Sequence, residues 1–215
     1  MAQPIPTNRI LFTLTGPSGV GKDSIIRGVL EQDTKLNFLT TCVTRDPRPG
    51  EVDGQDYFFL TKDSFRQGIE MGIFLEYDEH YENYYGTRRQ EVANVFKDNK
   101  DAVTDLNWPG VAQASSQMPE NLVSILVLPP SLTQLEQRLL RRSSEGGSPV
   151  SAERFGKIRE DILHMDDPAY VFTNPDMIGS TLRRYNHVIT NDNLDQAIQD
   201  TLKVMNLERE KRRVS

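Results

Sequence analysis

The stretch Gly16-Pro17-Ser18-Gly19-Val20-Gly21-Lys22-Asp23 decides how this chain is read. It follows an apolar run of strand character at 10–15 and precedes Ile25, Ile26, Val29 and Leu30, which fall on one helical stripe. A strand that turns through closely spaced glycines into a helix aims successive backbone N–H groups, and the positive end of the helix, at one point. In the pattern G-x-x-x-x-G-K-[ST] a lysine reaches the phosphates of a nucleotide and a hydroxyl helps to hold Mg²⁺. Gly16, Gly21 and Lys22 meet that spacing, whereas Asp23 stands where the hydroxyl belongs and Ser24 offers one a position late. Gly16 through Ser24 are therefore candidate phosphate-binding residues, with Asp23 and Ser24 as candidate metal ligands. The alternative is a glycine turn between two core elements.

Composition narrows the partners. At 215 residues and 37% hydrophobic content, with no apolar run long enough to cross a bilayer, one soluble domain over 1–215 is expected. Residues 1–9 lack the order of a secretory signal and the single Cys42 has no internal partner, so a cytoplasmic protein is expected. A net charge of −6 argues against broad binding to nucleic acid, and Lys211-Arg212-Arg213 reads as a solvated helix tail. His80, His164 and His187 have no metal-ligand spacing.

Strand-like runs recur at 10–15, 37–43, 102–106, 122–128 and 187–190, with helical patterns between several of them, which predicts an α/β fold on a parallel sheet. Between 57 and 87 two strand-like pieces, 57–60 and 73–77, flank a short helix at 65–71 and predict a small inserted α+β lobe. Residues 143–149, Ser/Gly-rich and bordered by Arg138, Arg141, Arg142 and Arg154, read as a lid loop or as a plain surface connection. Arg138 and Arg142, four apart, lie along one edge of the stripe formed by Leu132, Leu135 and Leu139. An amphipathic helix is predicted over 194–207.

Arg45 and Arg48 lie three residues apart in a Pro/Gly-rich loop that is followed by Tyr57. Two guanidinium groups and a phenol suit a phosphate monoester; pairing of the arginines with Asp46, Glu51 or Asp53 is the alternative. The phosphate loop, Thr44-Arg45-Asp46-Pro47-Arg48-Pro49-Gly50-Glu51-Val52-Asp53-Gly54, Phe74-Leu75-Glu76, Tyr84-Tyr85-Gly86-Thr87, Asp105, Pro129-Pro130-Ser131, Arg138-Leu139 and Thr190-Asn191-Asp192 occur in the order and near spacing of one family. In that ordered set the chain resembles the guanylate kinases.

The resemblance implies a phosphate-loop nucleoside-monophosphate-kinase fold: a core of about 1–36, 98–137 and 185–215, a GMP-binding lobe of about 37–97 and a lid with its following segment of about 138–184. It implies transfer of a phosphoryl group from ATP, as Mg²⁺·ATP, to GMP. Gly16, Pro17, Ser18, Gly19, Val20, Gly21, Lys22, Asp23, Ser24 and Asn191 would bind ATP; Arg45, Arg48, Tyr57 and Tyr85 would hold the GMP phosphate; Thr41, Glu76 and Thr87 would read guanine. A carboxylate accepts from the N–H groups of guanine, and adenine reverses that need. Asp105 would lie beside the reacting phosphates and the metal, as a catalytic residue that also contacts GMP. Asn107 stands for an acid usual in the family at a guanine contact and would accept through its amide oxygen. Lys22, Arg138, Arg142 and Arg154 would offset charge on the moving phosphoryl group while Arg45 helps to align the acceptor.

Asp23 is expected either to contact the metal or to pair with a lid arginine. Trp108 is read as core or as a wall of the nucleotide site. The segment 166–184 is longer than the resemblance predicts, and its apolar residues suggest packing or a homo-oligomer contact. Two other readings stay open: a ribose 1,5-bisphosphate phosphokinase, which the Gly-Lys-Asp-Ser pattern resembles, and a guanylate-kinase-like module that binds protein without catalysis.

Overall fold

The structure, a computed structural model, describes residues 8–80, 82–144 and 185–214. Its central sheet runs β2 (Leu36–Phe38), β7 (Asp101–Asp105), β1 (Leu11–Thr15), β8 (Leu122–Leu128) and β9 (His187–Thr190), with every neighbouring pair parallel. Strands covered on both faces read as continuous apolar runs, which is how β1 and β8 appear in the sequence. Phe12 and Leu14 of β1 pack on one face against α1 (Lys22–Gln32), α5 (Leu132–Ser144) and α6 (Leu194–Val214), through Ile25, Val29, Leu135, Leu139, Ala197 and Met205. Leu11 faces the other way, into the cluster with Val92 and Phe96 of α3 (Arg89–Lys97) and Val111 and Ala114 of α4 (Trp108–Gln117). The strand order reverses at β1, between β7 and β8. In an open α/β sheet that point opens a crevice at the carboxyl ends of the strands, where ligands bind.

A second sheet is built in the order β4 (Tyr57–Phe59), β3 (Thr41–Val43), β6 (Asn83–Arg88) and β5 (Phe74–His80). One of its faces is covered by α2 (Lys62–Glu70), capped by the Thr61 hydroxyl, which accepts from Ser64 N–H at 3.1 Å. Phe65 of α2 stacks on Phe74 with centroids 4.2 Å apart and on Tyr84 at 5.3 Å, and Cys42, Phe58 and Leu60 complete this small core.

The strand expected over 37–43 is two strands in two sheets. Leu39 is buried in the main core and its N–H still donates to Val103 O at 2.9 Å, while Thr41 already pairs with Tyr57 on β4. A continuous apolar run carries no mark of where the chain changes partners. The hairpin partner β6 was not among the expected strands: Tyr84-Tyr85-Gly86-Thr87 reads as a motif, and Gly86 lowers strand character. Helix α2 begins at Lys62, earlier than the expected 65, and α6 continues to Val214, beyond the expected 207, its last turn carrying Lys211, Arg212 and Arg213 where cations suit the helix dipole.

Candidate active site

The phosphate loop leaves β1 and enters α1 at the switch point. Gly21 caps α1 with φ of 99°, a left-handed conformation that suits glycine, and no side chain caps the helix. A Cβ there would meet Asn191 Nδ2 at 2.5 Å. That amide donates to Val20 O at 2.8 Å in a buried position, and Arg138 Nη2 donates to Asn191 O at 2.9 Å. The expected contact of Asn191 to adenine thus shares a side chain whose amide nitrogen is committed to the loop. Lys22 Nζ donates to Gly16 O at 2.9 Å, spanning the loop. Asp23 and Ser24 are exposed on the first turn of α1, where a negative charge is favourable to the helix.

Asp105 ends β7 beside this loop, opposite Leu14 of β1. Burial pushes its carboxyl up, Lys22 opposes that shift and Asp23 adds to it. Asp105 and Asp23 also act on Tyr57: its phenol is raised to about 12, by burial first and then by Asp105 and Asp23, with Arg45 opposing. The open face of the second sheet therefore lies within electrostatic range of the phosphate loop.

Register explains which side chains share that face. Thr41 pairs with Tyr57, Val43 with both Phe59 and Tyr85, Glu76 with Thr87, and Asp78 with Tyr85. Cross-strand partners point to the same side, so Tyr57, Thr41, Tyr85, Thr87, Glu76 and Asp78 all turn away from α2. An irregularity between Phe74 and Glu76 makes this arrangement. In a regular strand residues 74 and 76 share a face; the extra residue lets Phe74 enter the α2 core while Glu76 turns to the open face.

Glu76 is 4% exposed. Burial raises its carboxyl to about 7, the nearby Asp78 and Asp105 act in the same direction, and Thr87 alongside acts against them. A carboxylate kept this dry, with no cation opposite it among the described residues, is costly, and donors from a ligand would offset that cost. The first turn of α4 closes over it: a Cβ on Gly110 would meet Glu76 Oε2 at 2.6 Å. Gln113 locks α4 to β5, accepting from Tyr77 N–H at 3.2 Å and donating to Tyr77 O at 2.8 Å, and Gln117 donates to Leu75 O at 2.6 Å.

Arg45 pairs with Glu51 through two bonds of 2.6 and 2.7 Å and lies 5.0 Å from the Tyr57 ring centroid and 5.7 Å from that of Phe59. The Arg45 hydrogen bond holds the Glu51 carboxyl down at about 2. Pairing with Glu51, weighed as an alternative to anion binding, is thus present for Arg45. Arg48 is exposed, and its backbone N–H donates to Glu51 Oε2 at 2.8 Å. Of the five Arg45 N–H donors two go to Glu51 and one to Asp46 O, so pairing with Glu51 does not exhaust the guanidinium.

Asn107 sits at the start of α4 with both ends of its amide engaged. Its Oδ1 caps α4, accepting from Gly110 N–H at 2.9 Å, and its Nδ2 donates to Asp78 Oδ2 at 2.5 Å. The oxygen expected to accept from guanine thus also serves the helix cap, which takes one of its two lone pairs. Trp108 is 59% exposed, so it is not core. The side chain of Arg142, together with Arg154, most of the lid loop and the segment 166–184, lies outside the described residues. Sequence reasoning passed over Asp78 and Gln113 and gave Gly110 no role; the Glu-x-Asp alternation on β5 is the one signal that would have pointed to Asp78.

A phosphate loop at the switch point of an open parallel sheet places the chain among the phosphate-loop nucleotide-binding α/β proteins. The family model described as guanylate kinase matches residues 8–208, and the chain belongs to the guanylate kinase family. It is 38% identical over 185 residues to the guanylate kinase of Oceanobacillus iheyensis, covering 86% of this chain and 88% of that protein. It is 35% identical over 180 residues to that of Paramagnetospirillum magneticum, covering 82% and 84%. The crystal structure of guanylate kinase from Anaplasma phagocytophilum shares the fold, with a TM-score of 0.67 at 20% identity over 95% of this chain and 86% of that one. No helix among the described residues is long and apolar enough to cross a membrane.

Proposed function

We propose that this chain is a guanylate kinase that transfers the terminal phosphoryl group of ATP to GMP, giving ADP and GDP. The observation that carries this reading is the buried Glu76 carboxylate, on the lobe face that also bears Tyr57, Tyr85 and Thr87 and within electrostatic range of Asp105. A base with N–H donors suits that carboxylate; adenine, with an acceptor at N1, leaves it buried and unpaired.

In this reading the lobe of about 37–97 takes GMP. Thr41, Glu76 and Thr87 meet the base, and Arg45, Arg48, Tyr57 and Tyr85 hold its phosphate in line with the ATP at the phosphate loop. Lys22 exchanges its Gly16 carbonyl for phosphate oxygens, and Arg138, Arg142 and Arg154 add charge from the lid side of about 138–184. Positioning and charge stabilisation suffice for phosphoryl transfer, so no covalent enzyme intermediate is required. Asn191 acts on the loop first, by fixing Val20.

The carboxylates fit Mg²⁺. That ion is usually held by one or two carboxylates together with substrate phosphates rather than by a protein cage. Asp23, the Ser24 hydroxyl and Asp105 supply oxygen donors beside Lys22. Mg²⁺ held there would offset charge on the phosphates. Asp23→Ser is expected to change the Mg²⁺ concentration needed for half-maximal rate; an unchanged requirement together with unchanged ATP affinity would remove Asp23 from the metal site. The cytoplasm is the compartment this activity implies.

ADP release measured with GMP, dGMP, IMP, AMP, UMP and CMP as acceptors tests the assignment. GMP is expected to give the highest kcat/KM, and preference for another acceptor would sink it. Ribose 1,5-bisphosphate in the same panel is expected to be inert.

A further inference from the structure

Two acids, not one, stand at the base-reading end of the lobe. Asp78 follows Glu76 by two residues on β5, so both side chains leave the same face of the strand. Asp78 is half-buried and close enough to Glu76 to raise its carboxyl pKa. Its position is set from the other side of the site: Asn107 Nδ2 donates to Asp78 Oδ2 at 2.5 Å, while Asn107 Oδ1 caps α4 on Gly110 N–H at 2.9 Å.

This arrangement orders the chemistry of the corner. With its oxygen accepting from the helix cap and its amide nitrogen donating to Asp78, Asn107 is fixed between α4 and β5. The carboxylate it grips has acceptor capacity to spare, because one N–H occupies only part of the lone-pair capacity of two oxygens. Gly110 lets α4 approach until Glu76 and Asn107 both lie within 3.1 Å of where its Cβ would be. The Gln113 bonds to the Tyr77 backbone hold the intervening residue of β5, so Glu76 and Asp78 are fixed on either side of a clamped peptide. Guanine carries two adjacent donors on one edge, N1–H and the 2-amino group. Two fixed carboxylates on one strand face match two adjacent donors.

We infer that Asp78 is a specificity residue of the GMP site: it accepts from the 2-amino group while Glu76 accepts from N1–H, and Asn107 is the positioning residue that aims it. The inference rests on the guanylate kinase reading above and adds to it the residue that separates GMP from a purine lacking the amino group. Hypoxanthine shares N1–H with guanine but has only C–H at position 2, so IMP satisfies Glu76 and leaves Asp78 without its donor. A site built to hydrogen-bond a substrate group rejects the analogue that lacks it more strongly than an apolar pocket would.

The test is kcat and KM for GMP, IMP and ATP in the full chain and in Asp78→Asn, Asp78→Ala and Asn107→Ala, each first shown to unfold cooperatively near the parent Tm. In Asp78→Asn and Asp78→Ala, kcat/KM for GMP is expected to fall by about tenfold to a hundredfold, the range for a hydrogen bond to a charged group. The loss is expected mainly in KM, with IMP changed less than about threefold and KM for ATP unchanged, so that the GMP/IMP ratio collapses. Asn107→Ala is expected to lower the same ratio partially. Moving the acid across, in the double variant Asp78→Asn with Asn107→Asp, is expected to restore part of the preference. An unchanged GMP/IMP ratio in Asp78→Asn, or equal losses for both acceptors, overturns the role of Asp78. A parent chain that does not prefer GMP to IMP instead overturns the guanine reading itself.

Discussion

At the scale of single residues, Glu76 shows function and stability pulling apart. Its carboxyl is raised from 4.5 to about 7 in the fold, so between those values the native state binds the proton that the unfolded chain releases. Stability is therefore lost as pH rises from about 4.5 to 7, and the full cost stands above 7. Glu76→Gln is expected to be more stable than the parent by on the order of 2–3 kcal/mol at pH 8 and no more stable at pH 4.5, as read by urea unfolding. The same variant is expected to lose preference for GMP. In the parent, kcat/KM for GMP should rise with pH through about 7 as Glu76 ionises, and that limb should be missing from Glu76→Gln. Glu51, held at about 2 by Arg45, does not titrate across this range; Asp105, also raised by burial, stays in Glu76→Gln, so the limb missing from that variant is the part due to Glu76.

At the scale of elements, the α4–β5 contact carries the site. Gly110→Ala adds helix propensity of about 0.5–1 kcal/mol, yet its Cβ would stand 2.6 Å from Glu76 Oε2. The variant is expected to keep its Tm and to show roughly tenfold higher KM for GMP at unchanged KM for ATP, since a displaced carboxylate costs a charged hydrogen bond. Steady-state kinetics with each substrate varied in turn check this. Elements also show where sequence reading succeeds. The phosphate loop, β1, α1, β7 and β8 were legible because each is a local pattern: spacing of glycines, an apolar run, a helical stripe. The division of 37–43 between two sheets was not, because the main-chain partners of Leu39 and Thr41 are Val103 and Tyr57, distant in sequence. The turn of Glu76 toward the site was not legible either, since the irregularity after Phe74 reverses the face that alternation assigns.

At the scale of the whole molecule, the C-terminal helix closes the sheet at the end away from the phosphate loop. Arg209 donates to Asp101 at 2.6 Å and to Asp33 at 2.5 Å, joining α6 to the start of β7 and the end of α1, and all three side chains are at most 11% exposed. Asp101 also accepts from Ile10 N–H at 3.0 Å, just before β1. Arg209→Ala strands two buried carboxylates and is expected to cost about 3–5 kcal/mol, lowering Tm by about 10 °C. Calorimetry should show that loss with KM for ATP and GMP unchanged where the variant stays folded, because Asp101 and Asp105 lie at opposite ends of β7.

The sequence by itself determined that a phosphate loop joins a strand to a helix, that Arg45 and Arg48 share one loop, and that the ordered motifs resemble one family, because spacing along a chain is a local quantity. Tertiary structure alone decided what those groups do to one another. It committed Arg45 to Glu51, Asn191 to the loop and Asn107 both to the cap of α4 and to Asp78. Hydrogen-bond capacity is finite and burial makes each commitment costly to break, so the role of a polar side chain is settled by partners that lie far away in the chain.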